Sequence, residues 1–201
     1  MKRENRKFKV GCLKYPYADK IGSRSSTIAR SMASTLMPRI GASEKDYEQM
    51  IRLLYEPNAN KDQLKCVYCG KRATHLDHLF PLTNNKRPTG YYTEPANLVP
   101  CCSSCNQKKG NDIWDVFMNK AETEDKFKYL NEDGKIEERK KRIDKFIKEM
   151  HTNKLPISNE FTQQWEIIYD KITKDLEEAQ EILTDYLKEL QKIIKQKETI
   201  P

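Results

Sequence analysis

The chain has 201 residues, of which 37% are hydrophobic and 33% are charged, and its formal net charge is +7. This balance favours an elongated, mainly helical protein over a sandwich or a barrel. Residues 159–201 hold 6 Lys and 10 Asp or Glu, a formal charge of −4, which leaves +11 on residues 1–158. A basic body of this kind favours a polyanionic partner, with nucleic acid first and a membrane surface second.

No stretch of the sequence reaches the roughly 18 apolar residues needed to cross a bilayer, and residues 1–10 lack the apolar core of a signal peptide. We therefore expect a cytoplasmic protein that does not enter the membrane. In that compartment the 6 cysteines are more typical of metal ligands or free thiols than of disulfides.

Residues 1–60 are predicted to form a basic, helical N-terminal region. Basic and aromatic side chains alternate in residues 1–20, which are either a phosphate-contacting arm or a solvated terminus. Apolar residues at helical spacing from Ile28 to Leu36 predict a helix that ends before Pro38. Its small side chains suit either tight packing or a close approach to DNA, and we favour packing.

A second helix is predicted in the same region. Ser43 followed by Asp46 is typical of a helix N-cap, and an apolar face continues to Tyr55 before Pro57. Residues 57–62 are polar and predict a loop that leads to the next motif.

Two Cys-x-x-Cys pairs follow, Cys66 with Cys69 and Cys102 with Cys105. Two such pairs suit a tetrahedral Zn²⁺, because each pair wraps one edge of the ion and the intervening chain brings the pairs together. Cys101 offers an alternative pairing with Cys105, but the shorter spacing from Cys102 gives the better zinc geometry.

The segment between the cysteine pairs is long enough to carry chemistry of its own. Residues 74–81 have strand character, residues 84–90 predict a loop, and residues 97–100 predict a second extended element. A short helix is expected at 103–109, ended by Gly110. The order is therefore strand, loop or strand, then helix.

Four motifs in this stretch resemble those of HNH endonucleases of the ββα-metal class. They are Cys66-Val67-Tyr68-Cys69-Gly70, Leu76-Asp77-His78, Asn97-Leu98-Val99-Pro100, and Cys102-Ser103-Ser104-Cys105-Asn106-Gln107-Lys108-Lys109-Gly110-Asn111. The resemblance implies a zinc-stapled HNH nuclease core at residues 61–112. Helical segments at 1–60 and 113–201 would flank it, giving a mainly α fold with a small α+β core.

The resemblance also assigns roles within this core. It implies that His78 is the general base, that Asn97 braces the loop around it, and that Asp77 and Asn106 bind a catalytic Mg²⁺ or Mn²⁺. A neutral imidazole, with an ordinary pKa near 6.5, takes a proton from water at cellular pH. A single carboxylate at the metal position argues for one catalytic ion.

Adjacent strand residues point to opposite faces of a sheet, so Asp77 and His78 share a site only if the strand ends or bulges there. Pro81 makes such a break plausible.

Roles for three other basic residues near the motifs are predicted from their positions in the sequence. Lys108 and Lys109 lie on the predicted short helix and are expected to reach DNA phosphates, unless they form a solvated helix end. His75 is expected to be a surface or supporting histidine.

Residues 113–201 are predicted to form a helical C-terminal region. Asp112 is expected to cap a helix that carries Trp114, and a further helix is expected at 136–150. From Ser158 onward one long amphipathic helix is predicted, with an apolar stripe that steps by 3 or 4 residues. The stripe comprises Trp165, Ile168, Ile172, Leu176, Ala179, Leu183, Leu187, Leu190 and Ile194.

These features predict a DNA endonuclease with one structural Zn²⁺ per chain. A restriction-type enzyme of type II acting on double-stranded DNA is our first choice, with a methyltransferase as a candidate partner. A nicking, homing or phage-derived HNH nuclease is the alternative, and a non-catalytic zinc-stapled DNA-binding module is the rival from another class. One metal cuts one strand per event, so we expect a homodimer with the long helix in its interface, unless that helix folds back on its own domain.

Overall fold

The computed structural model describes residues 9–10, 13–14, 24–56, 59 and 63–198. Within it the chain divides into a core unit, Ser26–Tyr169, and a terminal unit composed of Met1–Ser25 and Asp170–Pro201. The predicted basic arm and the loop at 57–62 lie almost wholly outside the described residues. The division into segments 1–60, 61–112 and 113–201 stays a prediction.

Helices dominate the fold, which confirms the mainly α expectation. They are α1 Ser25–Leu36, α2 Glu44–Leu54, α3 Ser103–Lys109, α4 Trp114–Thr123, α5 Ile136–Met150 and α6 Asn159–Glu198. The start of α2 is fixed by the predicted capping box, because the Ser43 N–H donates to Asp46 Oδ2 at 2.7 Å and the Asp46 N–H donates to Ser43 Oγ at 3.3 Å.

The small sheet at the centre of the core unit has two antiparallel strands. Strand β3, His75–His78, pairs with β6, Leu98–Cys101, in a register that sets His75 opposite Cys101 and His78 opposite Leu98. Helix α3 follows β6 directly and ends at Gly110, whose φ of 55° suits a glycine. The predicted order, a strand, a loop or second strand, and then a helix, is therefore confirmed, and the second element is a strand.

The predicted loop at 84–90 is instead part of a second hairpin. Thr83–Asn84 (β4) pairs with Arg87–Pro88 (β5), and the turn residues Asn85 and Lys86 both have positive φ, 48° and 66°. Positive φ at both central residues is the geometry of a two-residue turn that matches strand twist. The expectation of an irregular loop was wrong here.

A large apolar cluster joins the sheet to α2, α4 and α5. Tyr68, Phe117 and Phe146 are fully buried in it, and Phe117 meets the rings of Tyr68 and Phe127 edge to face. Such aromatic contacts add to the stabilisation from area burial. The cluster therefore fixes the cysteine segment against the helices.

A second cluster fastens α1 to the first turns of α6. Ala29 and Ala33 are 1% and 0% exposed and pack with Trp165 and Tyr169. The Trp165 indole N–H donates to the Lys86 carbonyl at 3.0 Å, so the same cluster is tied to the β4–β5 turn. The small alanines allow this close approach, which confirms packing as one role of α1.

The predicted cap of α4 was wrong. Its N-cap is Ile113, which makes no side-chain hydrogen bond. Asp112 lies one residue too early, and its carboxylate pairs with the Lys120 ammonium at 2.5 Å instead.

The long helix is confirmed as α6, and the apolar side chains on it differ in exposure. Trp165 is buried in the core unit, where Ile168 is 46% exposed, and five apolar side chains of the terminal unit are 43% to 68% exposed. These are Ile182, Leu183, Tyr186, Leu187 and Leu190. The terminal unit also contains a short ladder of Lys9–Val10 (β1) with Leu13–Lys14 (β2). Among the helices of the described ranges, none is long and apolar enough to span a membrane.

Candidate active site

The four predicted zinc ligands converge. The Sγ atoms of Cys66, Cys69, Cys102 and Cys105 all lie within 4.8 Å of one another, and those of Cys69 and Cys102 are 3.7 Å apart. A tetrahedral Zn²⁺ with bonds of about 2.3 Å needs sulfur atoms roughly 3.8 Å apart. The residues present therefore fit a structural zinc ion.

Backbone hydrogen bonds hold the two knuckles in register. The Gly70 N–H donates to the Cys66 carbonyl at 2.9 Å, with Gly70 at a φ of 75°. The Val67 N–H donates to the Pro100 carbonyl at 3.0 Å, which joins the first knuckle to β6. Cys101 is fully buried outside the four-cysteine cluster, and burial raises the pKa of its thiol.

Asp77 is anchored through one carboxylate oxygen. Its Oδ2 accepts a hydrogen bond from the Tyr68 hydroxyl at 2.7 Å and lies 3.2 Å from the Lys109 ammonium. Burial and the neighbouring Asp77 charge raise the pKa of Tyr68 well above its ordinary value, so the hydroxyl stays protonated and donates. These two contacts fix Asp77 in the cavity wall described below.

Lys109 is a buried structural lysine, which corrects the expectation that it contacts DNA. Its side chain is 0% exposed, and the ammonium also donates to the His78 carbonyl at 2.6 Å. An ammonium in this position is held by two groups under the site and cannot reach a phosphate outside. Lys108 is exposed, with its Nζ 4.0 Å from the centre of the Tyr129 ring, and its predicted DNA contact stays a prediction.

One of the two ring nitrogens of His78 has a hydrogen-bond partner. Its Nε2 lies 3.0 Å from the Thr93 hydroxyl, and across the described chain no hydrogen bond engages Nδ1. Burial is the largest influence on this imidazole and lowers its pKa, while the charge of Asp77 raises it and those of Lys109 and Arg39 lower it. The ring is therefore held in place and favoured in its neutral form.

Asn97 makes the contacts expected of a bracing residue. Its side chain is 1% exposed, accepts from the Phe80 N–H at 2.9 Å, and donates to the carbonyls of Phe80 at 3.0 Å and Tyr92 at 3.1 Å. The Leu79 N–H donates to the Asn97 carbonyl at 2.9 Å. Asn97 thus ties the chain that follows His78 to the chain that precedes β6.

Asp77, His78 and Asn106 line one cavity with a volume of about 880 Å³. The two adjacent residues line the same cavity although both belong to β3, and β3 ends at His78. Carboxylate and amide oxygens are donors that Mg²⁺ prefers, and the part of the chain that the structure describes makes no hydrogen bond to the Asn106 side chain. The donor set therefore fits a catalytic divalent cation.

The remaining wall of this cavity comes from α1, from the chain that follows β3, and from α3 with the turn after it. The residues that share it with Asp77, His78 and Asn106 are Ser26, Thr27, Arg30, Ser31, Ser34, Pro81, Leu82, Gln107, Gly110 and Asn111.

Three supporting residues were not predicted. Tyr68 looks like a spacer between two cysteines, Thr93 like the start of a strand, and Arg30 like a surface residue of a packing helix. Only the fold brings them to Asp77, His78 and the cavity. His75, by contrast, is exposed and bonded to Thr74 at 2.8 Å, as expected for a histidine outside the site.

An antiparallel strand pair, a following helix and one cavity lined by Asp, His and Asn are the arrangement that the resemblance to the ββα-metal class predicts. Residues 66–112 match the family model described as HNH endonuclease, so this stretch of the chain carries an HNH domain. No curated protein and no solved structure matches the chain significantly.

Proposed function

We propose that this protein is a DNA endonuclease that hydrolyses phosphodiester bonds at the HNH site. The observation that carries the proposal is the convergence of Asp77, His78 and Asn106 on one cavity, with the Nδ1 atom of His78 left without a partner in the described structure. A general base must lie within hydrogen-bond reach of the proton that it removes. We propose Nδ1 as the ring nitrogen that takes the proton, since Nε2 already has Thr93 as its partner.

The proposed roles combine those that the resemblance implies with the contacts of the same residues. Thr93 orients the imidazole of His78, and His78 takes a proton from the attacking water, which adds to phosphorus as the sugar oxygen leaves. Asp77 and Asn106 would hold one Mg²⁺ or Mn²⁺, which when bound stabilises negative charge on the phosphate oxygens. Asn97 fixes the loop after His78. The resemblance to HNH endonucleases implies that the cut leaves 5′-phosphate and 3′-hydroxyl ends.

The proposed zinc has a different role from the catalytic ion. Cys66, Cys69, Cys102 and Cys105 would hold it, and it would join the knuckle before β3 to the knuckle at the start of α3. One zinc ion per chain would thus fix the relative position of Asp77 and Asn106 without contacting DNA.

We further propose a restriction-type enzyme of type II that acts on double-stranded DNA in the cytoplasm as a homodimer. Support for the dimer comes from the exposed apolar residues between Ile182 and Leu190 on α6, since a contiguous apolar face of this kind is typical of an interface. A methyltransferase that protects host DNA is the expected companion of such an enzyme. A nicking, homing or phage-derived nuclease is the alternative role.

Supercoiled plasmid in Mg²⁺ tests the proposal. Wild-type protein is expected to cut it, and His78→Ala is expected to lose about 10² to 10⁴ in rate while it keeps its zinc and its DNA binding. If the protein is a dimer by light scattering and converts the plasmid to its linear form, a restriction-type enzyme is supported. If it is a monomer and only nicks the plasmid, a nicking enzyme is supported. Wild-type cleavage rates in His78→Ala would refute the mechanism, and DNA binding without any cleavage would favour the non-catalytic module.

A further inference from the structure

Helix α1 presents two different faces. Ala29 and Ala33 form the face that packs on Trp165 and Tyr169. Five polar residues, which we call the α1 polar face, lie on the cavity instead. They are Ser26, Thr27, Arg30, Ser31 and Ser34.

The α1 polar face is a continuous stripe. Ser26, Arg30 and Ser34 follow one another at intervals of four residues, so they lie roughly one turn apart along the same side of the helix. The stripe spans about 12 Å at 1.5 Å per residue, the axial length of roughly three to four nucleotides of one DNA strand. Its size therefore matches a short stretch of sugar-phosphate backbone.

The chemistry of the stripe suits an anion. Arg30 is the only charged residue in Ser25–Leu36, and it is exposed. Over the described chain, Arg30 makes no ion pair or hydrogen bond, and the hydroxyls of Ser26 and Thr27 make none either. Across the cavity, the charge of Asp77 is offset by the buried Lys109 ammonium. Guanidinium and hydroxyl groups are among the side-chain groups that contact DNA phosphates.

Two sets of contacts hold α1 beside the proposed catalytic residues. The alanine face is held by Trp165, and beyond the C-terminal end of α1 the Ile40 N–H donates to the Thr93 carbonyl at 2.8 Å. Thr93 is also the partner of His78 Nε2. The α1 polar face is therefore a preformed wall of the cavity, tied to the residue that orients His78.

We infer that the α1 polar face is a DNA-backbone binding wall, with Arg30 contacting a phosphate next to the bond that is cut. This inference rests on the proposed function, because it takes DNA as the substrate of the cavity. It assigns to α1 the phosphate contact that the sequence had suggested for Lys109.

The test measures binding of a fluorescein-labelled DNA duplex by fluorescence anisotropy at several salt concentrations, in Mg²⁺-free buffer. The logarithm of the affinity falls linearly with the logarithm of the salt concentration, and loss of one phosphate contact makes this slope shallower by about 0.9. Arg30→Gln is therefore expected to bind more weakly, and its deficit relative to wild type should shrink roughly threefold between about 50 and 200 mM salt. Arg30→Lys keeps the charge and should keep the slope.

Arg52→Gln is the matched control, because Arg52 is exposed on α2 and does not line the cavity. It should leave the slope unchanged, and all three variants should keep the wild-type melting temperature. Equal slopes for Arg30→Gln, Arg52→Gln and wild type would overturn the inference, even if the plasmid is cut normally. If the wild type fails to cut plasmid but the slope still depends on Arg30, the proposed hydrolysis fails and the binding wall is supported.

Discussion

Removing the Lys109 ammonium should destabilise the protein far more than removing its neighbour. In Lys109→Met the Asp77 carboxylate keeps only the Tyr68 hydroxyl as an Oδ2 partner, and the His78 carbonyl loses its donor. Both side chains of the ion pair are buried, at 0% and 8% exposure. Breaking a buried pair from one side costs about 3 to 5 kcal/mol, because an uncompensated charge remains.

That cost is a large part of the roughly 5 to 15 kcal/mol that stabilises a typical domain. Lys108→Met is the matched control on the same helix, since Lys108 is exposed and loses only its contact with the Tyr129 ring. Such a contact is worth about 0.5 to 1 kcal/mol. The two variants should therefore differ by at least about 2 kcal/mol in urea unfolding.

The double variant Lys109→Met/Asp77→Asn distinguishes an ion pair from a simple loss of packing. Because it removes both charges, it should be more stable than Lys109→Met alone, with a coupling of about 0.5 to 3 kcal/mol. Equal unfolding free energies for Lys109→Met and Lys108→Met would refute the buried-pair reasoning. A double variant whose losses simply add would show that charge is not the cause.

Three further outcomes are expected. The Cys66→Ser variant should contain no zinc by elemental analysis and should no longer unfold cooperatively, whereas a wild-type protein that folds without zinc would contradict this. Mild EDTA should stop cleavage reversibly and leave the wild-type protein folded. Because burial lowers the pKa of His78, its ring should be protonated only at a lower pH than an ordinary histidine, whose pKa is about 6.5. Cleavage should therefore continue at about pH 6.5 and fall at lower pH; an imidazole NMR midpoint above about 6.5 would disprove this. Asn97→Ala removes three hydrogen bonds and should lower the free energy of unfolding by about 1.5 to 4.5 kcal/mol. A variant that unfolds at the same denaturant midpoint as the wild type would rule that out.

The elements that were predicted well have local causes. The capping pair Ser43 and Asp46 sets the start of α2, and the apolar periodicity of 136–150 matches the full length of α5. The β4–β5 hairpin was missed because its turn uses Asn85 and Lys86 at positive φ without a glycine. The usual sequence signal for such a turn, Asn-Gly, is absent.

The candidate site was predicted only as far as its motifs extend. Lys109 follows Lys108 near the end of a short helix, and two such lysines look alike in the sequence. They differ in the structure because the side chain of Lys109 is buried, where its ammonium pairs with Asp77 and donates to the His78 carbonyl. No local pattern distinguishes these two positions, so only the tertiary fold could assign them.

The pairing of Asp77 with His78 shows how the fold makes a site from neighbours that a regular strand would separate. Asp77 is held from beneath by Tyr68 and Lys109, which come from the first knuckle and from α3. His78 is the last residue of β3, and the chain beyond it is held by Asn97 rather than by further strand pairing. Each side chain therefore reaches the cavity from a separately braced backbone. Since both α3 and the first knuckle carry cysteines of the proposed zinc site, loss of that metal should disturb the support of Asp77 before it disturbs the Asn97 brace.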